Sequence, residues 1–476
     1  MKKIARVVLA SALMLSGCSL APTYQRPENV TAADWTLIQG GTATQKPASE
    51  QGLATDIPWK TFFQSEALQS VVQMALDNNR DLKTAVLSVQ KTQAIYNIER
   101  SKLLPELNAA GTGSYQKDFR GNSAEKYQAG LAMPFYEIDF FGRIGSLSQV
   151  ALNTYLATEQ AQMSVTIALI AQSANAYLQL TSDLQTLELS RESLETRQQT
   201  YGLVDKSYQN GVATRQDLAQ ARIALESARV NTVLFTRRVQ LDKNALVAIL
   251  GVRGLSGIPI STALDESAVL GDIPVGLSSE VLLKRPDILQ AEYALKGAGA
   301  NIGAARAAFY PRIALTGSLG YSSTDLGNLF SSSGAGAWGL GPSLSIPIFN
   351  GGRNKAMLKA AKIDQQIAVV HYEKTLQQAF KEVADALAAR ETLGQELEAQ
   401  QMLVQASQEA YDLSLKRYTE GIDSFLSVLD AQRSLFASRT ARIDLQRQEL
   451  SNRVSLYKVL GGGLADAAQT PGTEQQ

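Results

Sequence analysis

The longest regular pattern in the chain is helical. Val165, Leu169, Ala176, Leu180, Leu184 and Leu187 recur at helical spacing, with Gln, Ser, Thr, Glu and Arg between them. No proline interrupts Arg143–Gln209 or Arg353–Thr419, so each segment is expected to form one helix, roughly 100 Å long at 1.5 Å per residue. A helix of that length must lie against other long helices, and a coiled-coil stalk fits this pattern as well. Return helices are expected at Thr214–Leu250 and Ser424–Leu460, with Gly251 and Gly461 suited to the C-terminal caps. Ahead of each long helix lies another helical stretch. Leu68–Leu103 stops before Pro105 and Asp287–Phe309 before Pro311, because a residue preceding proline avoids the helical region.

Between the first and long helices the period changes. Leu107–Gln116 with Tyr127–Phe135, and Ile313–Ser322 with Ala337–Phe349, read as two strand pairs within hairpins 107–141 and 313–349. Gly121-Asn122 marks a turn in the first pair, and the Ser/Gly-rich 331–336 joins the second. The strands mix small, polar and apolar residues, which suits an outer-membrane barrel wall, although a soluble β-layer is the plainer alternative. Trp338, Phe330, Tyr136, Phe140 and Phe141 could supply interfacial aromatics.

The same order of elements occurs twice. Leu104-Pro105-Glu106-Leu107 resembles Tyr310-Pro311-Arg312-Ile313 at an offset of 206, and Gly111 and Tyr115 match Gly317 and Tyr321. From Gly142-Arg143 and Gly352-Arg353 onward the offset is 210, through Tyr208/Tyr418, Gly211/Gly421, Arg237/Arg447 and Leu250-Gly251/Leu460-Gly461. The expected units are 60–252 and 277–462, joined by a Gly/Pro/Ser-rich linker, 253–276.

Composition narrows the chemistry. The 476 residues carry 45 Lys+Arg and 45 Asp+Glu, which gives no basic surface to track a nucleic-acid backbone. One Cys and one His exclude a disulfide framework and a Cys/His zinc site. His371, on a long helix, is the only histidine available for base catalysis, and no P-loop is present, so no enzyme is expected.

At the N-terminus, Lys2, Lys3 and Arg6 precede the apolar run Val7–Leu15, which is too short for a permanent span. It leads into Leu15-Ser16-Gly17-Cys18, which looks like a lipobox; an ordinary signal peptide is the alternative. The expectation is a signal peptide over 1–17 and a diacylglycerol and palmitate on Cys18, with no other cofactor and no metal. Residues 18–59 would be an extended lipidated segment and 463–476 a disordered tail. By resemblance to bacterial lipoproteins, Ser19 implies sorting to the outer membrane. No later run of 18 apolar residues predicts a transmembrane helix.

Counting strands then sets an assembly. Four strands cannot close a barrel, and open edges are not tolerated in lipid. If the strands sit in the membrane, several copies must share one barrel, and three copies give twelve strands.

The lipobox, the duplication, the helix–hairpin–long helix order and the turns resemble the TolC/OprM family, the outer-membrane factors of tripartite efflux pumps. The resemblance covers nearly the whole mature chain. It implies a mainly α protein with a small β part: a homotrimeric 12-stranded outer-membrane β-barrel continuing into a long periplasmic α-helical barrel. It implies a periplasmic adaptor protein and an inner-membrane pump of the RND type as partners. The function it implies is a passive exit duct for drugs and other small molecules, and hence multidrug resistance.

The family's functional tips fall on the turns between long and return helices. Gly211, Val212, Gly421 and Ile422 are the expected adaptor contacts, although Asn210 and Glu420 precede the glycines where the family has Val. Thr214 and Ser424 can cap the return helices. Asp217, Tyr418 and Asp430 match the family's aperture positions. Ser427 replaces one aperture Asp, and Asp423 stands at a gating Arg position. Arg417 and Arg215 are the candidate counter-ions. A protein-secretion duct and a non-channel envelope lipoprotein are the competing readings.

Overall fold

The computed structural model describes residues 20–27, 57–271, 279–331 and 335–463. The expected signal peptide, Cys18 and the tail beyond residue 463 lie outside the described residues. Among the described residues the chain is mainly helical with one four-stranded sheet, and they divide into two compact units. None of the described helices is long and apolar enough to cross a membrane.

In chain order the main elements are α1 (Glu66–Asn78), α2 (Arg80–Ser101), β1 (Asn108–Lys117), β2 (Ser123–Ile138), α3 (Arg143–Gln209), α4 (Arg215–Leu250), α5 (Pro286–Ala307), β3 (Arg312–Ser323), β4 (Ala335–Ser345), α6 (Arg353–Thr419) and α7 (Phe425–Val459). Both long helices contain 67 residues and run unbroken.

One unit holds Leu87–Gln160 and Asp287–Thr375, and therefore the sheet. Its order is β1-β2-β3-β4, antiparallel throughout. The register sorts the side chains by face. Leu131, Met133, Leu315, Leu319, Tyr321, Trp338, Leu340 and Leu344 share one face, and Thr112, Gln128, Thr316, Ser318, Ser322 and Ser343 share the other. Leu319, Trp338, Leu340 and Leu344 are all exposed. A soluble sheet buries its apolar face; this one leaves it bare.

Two details depart from the sequence reading. β2 runs on to Ile138, through a bulge between Met133 and Tyr136. Pro134 sits in that bulge, where a missing N–H breaks no regular ladder bond. β4 stops at Ser345, short of the expected Phe349. Its last partner is Arg312, the first residue of β3, so 346–349 has nothing to pair with inside one chain.

Aromatics mark both ends of the sheet. Phe330 meets Tyr321 edge-on at 6.2 Å near the loops, and Phe141 stacks on Tyr310 at 4.7 Å near the helices. At the exit of β2, Arg143 makes a bidentate pair with the buried Glu137 at 2.8 and 2.7 Å, and Asp139 accepts from Gly145 N–H at 2.7 Å. The N-terminal stretch docks in this unit. Arg26 donates to the buried Glu292 at 2.7 Å, and Arg306 donates to the Leu20 carbonyl at 2.8 Å.

The other unit holds, of the described residues, 57–86, 161–271, 279–286 and 376–463. Here the first expected helix is divided. Asn79 adopts an extended backbone, φ −60° and ψ 133°, that ends α1. Its Oδ1 accepts from Asp81 and Leu82 N–H, both at 2.9 Å, so it caps α2, while its Nδ2 donates to Ile249 O at 2.8 Å. Gly251 turns left-handed beside it (φ 66°), where a Cβ would stand 2.6 Å from Asn78 O. The core of this unit includes Phe62, stacked on Tyr457 at 3.9 Å, and the Tyr457 hydroxyl donates to Ile57 O at 2.6 Å.

Candidate functional site

The two helical hairpins, α3–α4 and α6–α7, end in turns of the same construction. In the first, Gly211 N–H donates to Tyr208 O and Val212 N–H to Ser207 O, each at 2.9 Å. In the second, Gly421 N–H donates to Tyr418 O at 3.0 Å and Ile422 N–H to Arg417 O at 2.9 Å. These bonds close the last turn of the helix and require a left-handed residue. Gly211 and Gly421 supply it at φ 75° and 74°. The residue after each glycine is thrust outward: Val212 is 82% and Ile422 58% exposed.

The fastenings below the turns differ. Thr214 and Asp217 form a capping box: Asp217 N–H donates to Thr214 Oγ1 at 3.2 Å, and Thr214 N–H to Asp217 Oδ2 at 3.0 Å. The Thr214 hydroxyl also donates to that oxygen, at 2.6 Å. Asp217, expected as an aperture acid, thus has one carboxylate oxygen committed to its own helix. Ser424 occupies the equivalent cap position, but its side chain makes no capping bond. The second turn relies instead on Arg417, which holds Asp423 through Nε at 2.6 Å and a terminal nitrogen at 3.1 Å. That bond lowers the Asp423 pKa and raises that of Arg417. Arg417 therefore finds its counter-ion within its own turn.

A shared apolar cluster lies beneath the tips. Val204 and Ala221 of the first hairpin pack with Phe425 and Val428 of the second, bordered by Tyr201, Leu218, Tyr411 and Tyr418. Tyr418 leans on Phe425 at 5.3 Å between ring centres. Burial, and then the nearby charge of Asp217, raise its pKa, so the structure brings these two expected aperture residues together. Asp430 is exposed and paired with Arg433 one turn on, at 2.8 Å.

Two polar features were not anticipated from the sequence. Arg197 is buried and donates to Ala224 O at 3.0 Å; burial, and then the charge of Arg433, lower its pKa. Further along the same hairpin, Asp183 of α3 faces Asp242 of α4. Asp183 is buried, and Asp242 Oδ2 lies buried without a donor. Two ionised carboxylates cannot hydrogen-bond, but one proton makes a donor. Burial, and then Asp183, push the Asp242 pKa up to about 7, against the nearby charge of Arg238. The repeat gave no warning, because the residue 210 positions on is Asn452, which simply donates to Ala386 O at 3.1 Å.

No group of three or more His, Cys, Asp or Glu able to hold a metal occurs among the described residues. The tips present exposed apolar residues, paired charges and caps, a construction suited to contact and constriction.

The family model described as "Outer membrane efflux protein" matches residues 71–252 and 277–462. The chain belongs to this family. It is therefore an outer-membrane efflux protein and not an enzyme. The antibiotic efflux pump outer membrane protein ArpC and the toluene efflux pump outer membrane protein TtgC, both of Pseudomonas putida, are each 45% identical over 466 residues. The match covers 95% of this chain and 94% of each relative. The open state of the Neisseria gonorrhoeae MtrE outer membrane channel superposes with a TM-score of 0.85 at 38% identity, over 94% of this chain and 99% of that one.

Proposed function

We propose that this family member is the exit duct of a tripartite, RND-type pump, conducting drugs and other small molecules passively to the exterior. The observation that carries this reading is the sheet. It has one bare apolar face, one small polar face and two unpaired edges. Lipid suits the first face, a water-filled lumen the second, and further copies the edges. A homotrimer supplies twelve strands. Lipidation of Cys18 adds an anchor in the outer membrane. The names of the two Pseudomonas relatives support antibiotics and solvents as the cargo class.

In this reading the tips meet an adaptor through Gly211, Val212, Gly421 and Ile422, and the adaptor joins them to the inner-membrane pump. Tyr418, Asp217 and Asp430 line the aperture, and the Arg417–Asp423 pair latches the second tip. Rings of such side chains constrict the duct and set its preference for ions.

The test is accumulation of an efflux dye and of antibiotics in cells lacking the protein, with and without plasmid-borne wild type. The wild type should lower accumulation, and variants with disrupted Gly211 and Gly421 turns should fail to do so while still forming trimers. Unchanged accumulation despite inserted wild-type trimers and a present pump would overturn small-molecule export, and the secreted proteome would then test protein export.

A further inference from the structure

Well away from the tips, a cavity of about 710 Å³ opens between α3 and α7, inside the compact unit that holds both. Buried Leu187 of α3 and Ile443 of α7 line it, together with Val404 of α6 and Thr262 of the linker. The linker is pinned to both helices beside it: Gln185 accepts from Leu264 N–H at 3.2 Å, and Gln446 donates to Glu266 at 3.0 Å. Three guanidiniums also face this space, Arg191 from α3 and Arg439 and Arg442 from α7. Two of them have partners in the chain. Arg191 meets Glu188 at 3.5 Å, and Arg439 donates to Gln408 Oε1 at 2.5 Å. Arg442 differs: its Nε is buried and finds no acceptor among the described residues.

The internal repeat shows that helix packing does not require these cations. At an offset of 210, Gln401 of α6 stands for Arg191, and Arg229 and Thr232 of α4 stand for Arg439 and Arg442. Arg229 pairs with Glu226 at 2.9 Å, and the Thr232 hydroxyl donates to Ala228 O at 2.9 Å, so each is satisfied inside the chain. The same pair of helices therefore forms with no unpartnered guanidinium. A buried donor on a charged group that lacks an acceptor costs stability, so a cation kept in that condition points to an acceptor from outside the chain.

We propose that this cavity binds a small amphipathic organic anion, whose carboxylate or phosphate pairs with Arg442 while its apolar body lies against Leu187, Val404 and Ile443. Charge supports an anion. Glu188 and Glu192 are the acids in the lining and both are exposed, so three guanidiniums against two carboxylates leave one cation over, in the part-buried Arg442. Guanidinium suits the group, because its planar fork matches carboxylate and phosphate oxygens. Size supports an organic molecule: the volume lies in the usual range for small-molecule pockets and far exceeds a single ion. Because the lining comes from α3 on one side and α6 and α7 on the other, the ligand would clasp the first hairpin to the second. The site depends on neither the trimer nor the conduction of cargo.

The test is titration calorimetry on the purified full-length protein in detergent and phosphate-free buffer. The probes are benzoate and phenyl phosphate, with benzyl alcohol as the uncharged counterpart and inorganic phosphate as the anion without an apolar body. Saturable binding of at least one organic anion is expected, with one site per chain. Arg442→Gln should weaken it about tenfold or more, the loss expected for a hydrogen-bonded charge. Arg442→Lys, which keeps the charge without the fork, should fall between Arg442→Gln and the wild type and serves as the second variant should the first not fold. Arg229→Gln, at the repeat's matching position, should bind within about twofold of the wild type, as a surface substitution does. Circular dichroism without ligand would verify the fold of each variant. Binding of neither organic anion, equal binding of benzyl alcohol, or affinity unchanged in both Arg442 variants would overturn the site. Inorganic phosphate binding as tightly as phenyl phosphate would overturn the organic ligand.

Discussion

The two hairpin tips share one backbone and differ in how it is fastened. Gly211 and Gly421 have nearly the same φ and the same closing bonds, so backbone geometry sets the turn in both. The side chains then diverge. Thr214 and Asp217 lock the start of α4, whereas Ser424 and Ser427 at the matching positions make no capping box, and the second tip depends on Arg417 and Asp423. The first fastening is a local bond network within one helical turn. The second is an exposed ion pair, which salt screens and a competing charge can open.

The largest test removes what the tips share. Open space surrounds both glycines, so an added side chain meets only backbone strain. Gly211→Val and Gly421→Val should each cost about 1–2 kcal/mol, because a side chain disfavours the left-handed region by that amount. Equal losses in thermal stability would confirm that geometry alone sets the turn; a large inequality would break the equivalence.

Next is the acid that only the first hairpin carries. An unfolded Asp ionises near 3.8, while Asp242 holds its proton until about pH 7 in the fold. Between those values the folded chain binds more protons than the unfolded chain, so Asp242 makes stability fall as pH rises through that window. Asp423 has the opposite sign. Its pKa is lowered, so its contribution is present above the usual carboxylate range and lost as pH falls through its folded value. Asp242→Asn, which copies Asn452 of the second hairpin, should flatten the melting-temperature profile between pH 5 and 8 and stabilise the protein at pH 8. An unchanged profile would remove the acid pair from the account.

The caps give a smaller contrast. Thr214→Ala should cost about 1 kcal/mol, a usual value for a lost cap bond, while Ser424→Ala should stay near zero. Chemical denaturation of the two variants measures the difference, and equal losses would show that Ser424 caps after all. The smallest effect on stability is expected from Asp423→Asn. Its stability should fall only slightly, as for an exposed ion pair, while single-channel conductance at low salt should change and converge with the wild type at high salt. A conductance that ignores the substitution at every salt concentration would separate this pair from the aperture.

Much of the architecture was legible because its signals are local. The long helices could be bounded by the absence of proline and by Gly at the turns, and Pro105 and Pro311 marked the ends of the helices before them. The tips were legible for the same reason: Gly211, Gly421 and the Thr214 cap act within a few residues. Asn79 was not, because a polar residue in a helical pattern signals a break only when something distant, here Ile249 O, accepts its amide. Asp183 and Asp242 were hidden likewise. Each reads as an ordinary helical acid until two helices bring them face to face.

The amino-acid order by itself determined the long and return helices, the strand pairs, the turns and the number of strands per chain, but not the break at Asn79. These follow from periodicity, steric exclusion and the special freedom of glycine. Tertiary structure alone decided which faces and charges meet: the sorting of the sheet into apolar and polar sides, the commitment of Asp217 to a cap, the Arg417–Asp423 pair and the proton shared near Asp242. The sheet faces and the Asp183–Asp242 contact depend on residues far apart in sequence, and the Asp217 cap and the Arg417–Asp423 pair, though local, depend on which of several possible partners each side chain meets, because hydrogen bonds and carboxylate repulsion act only at contact range.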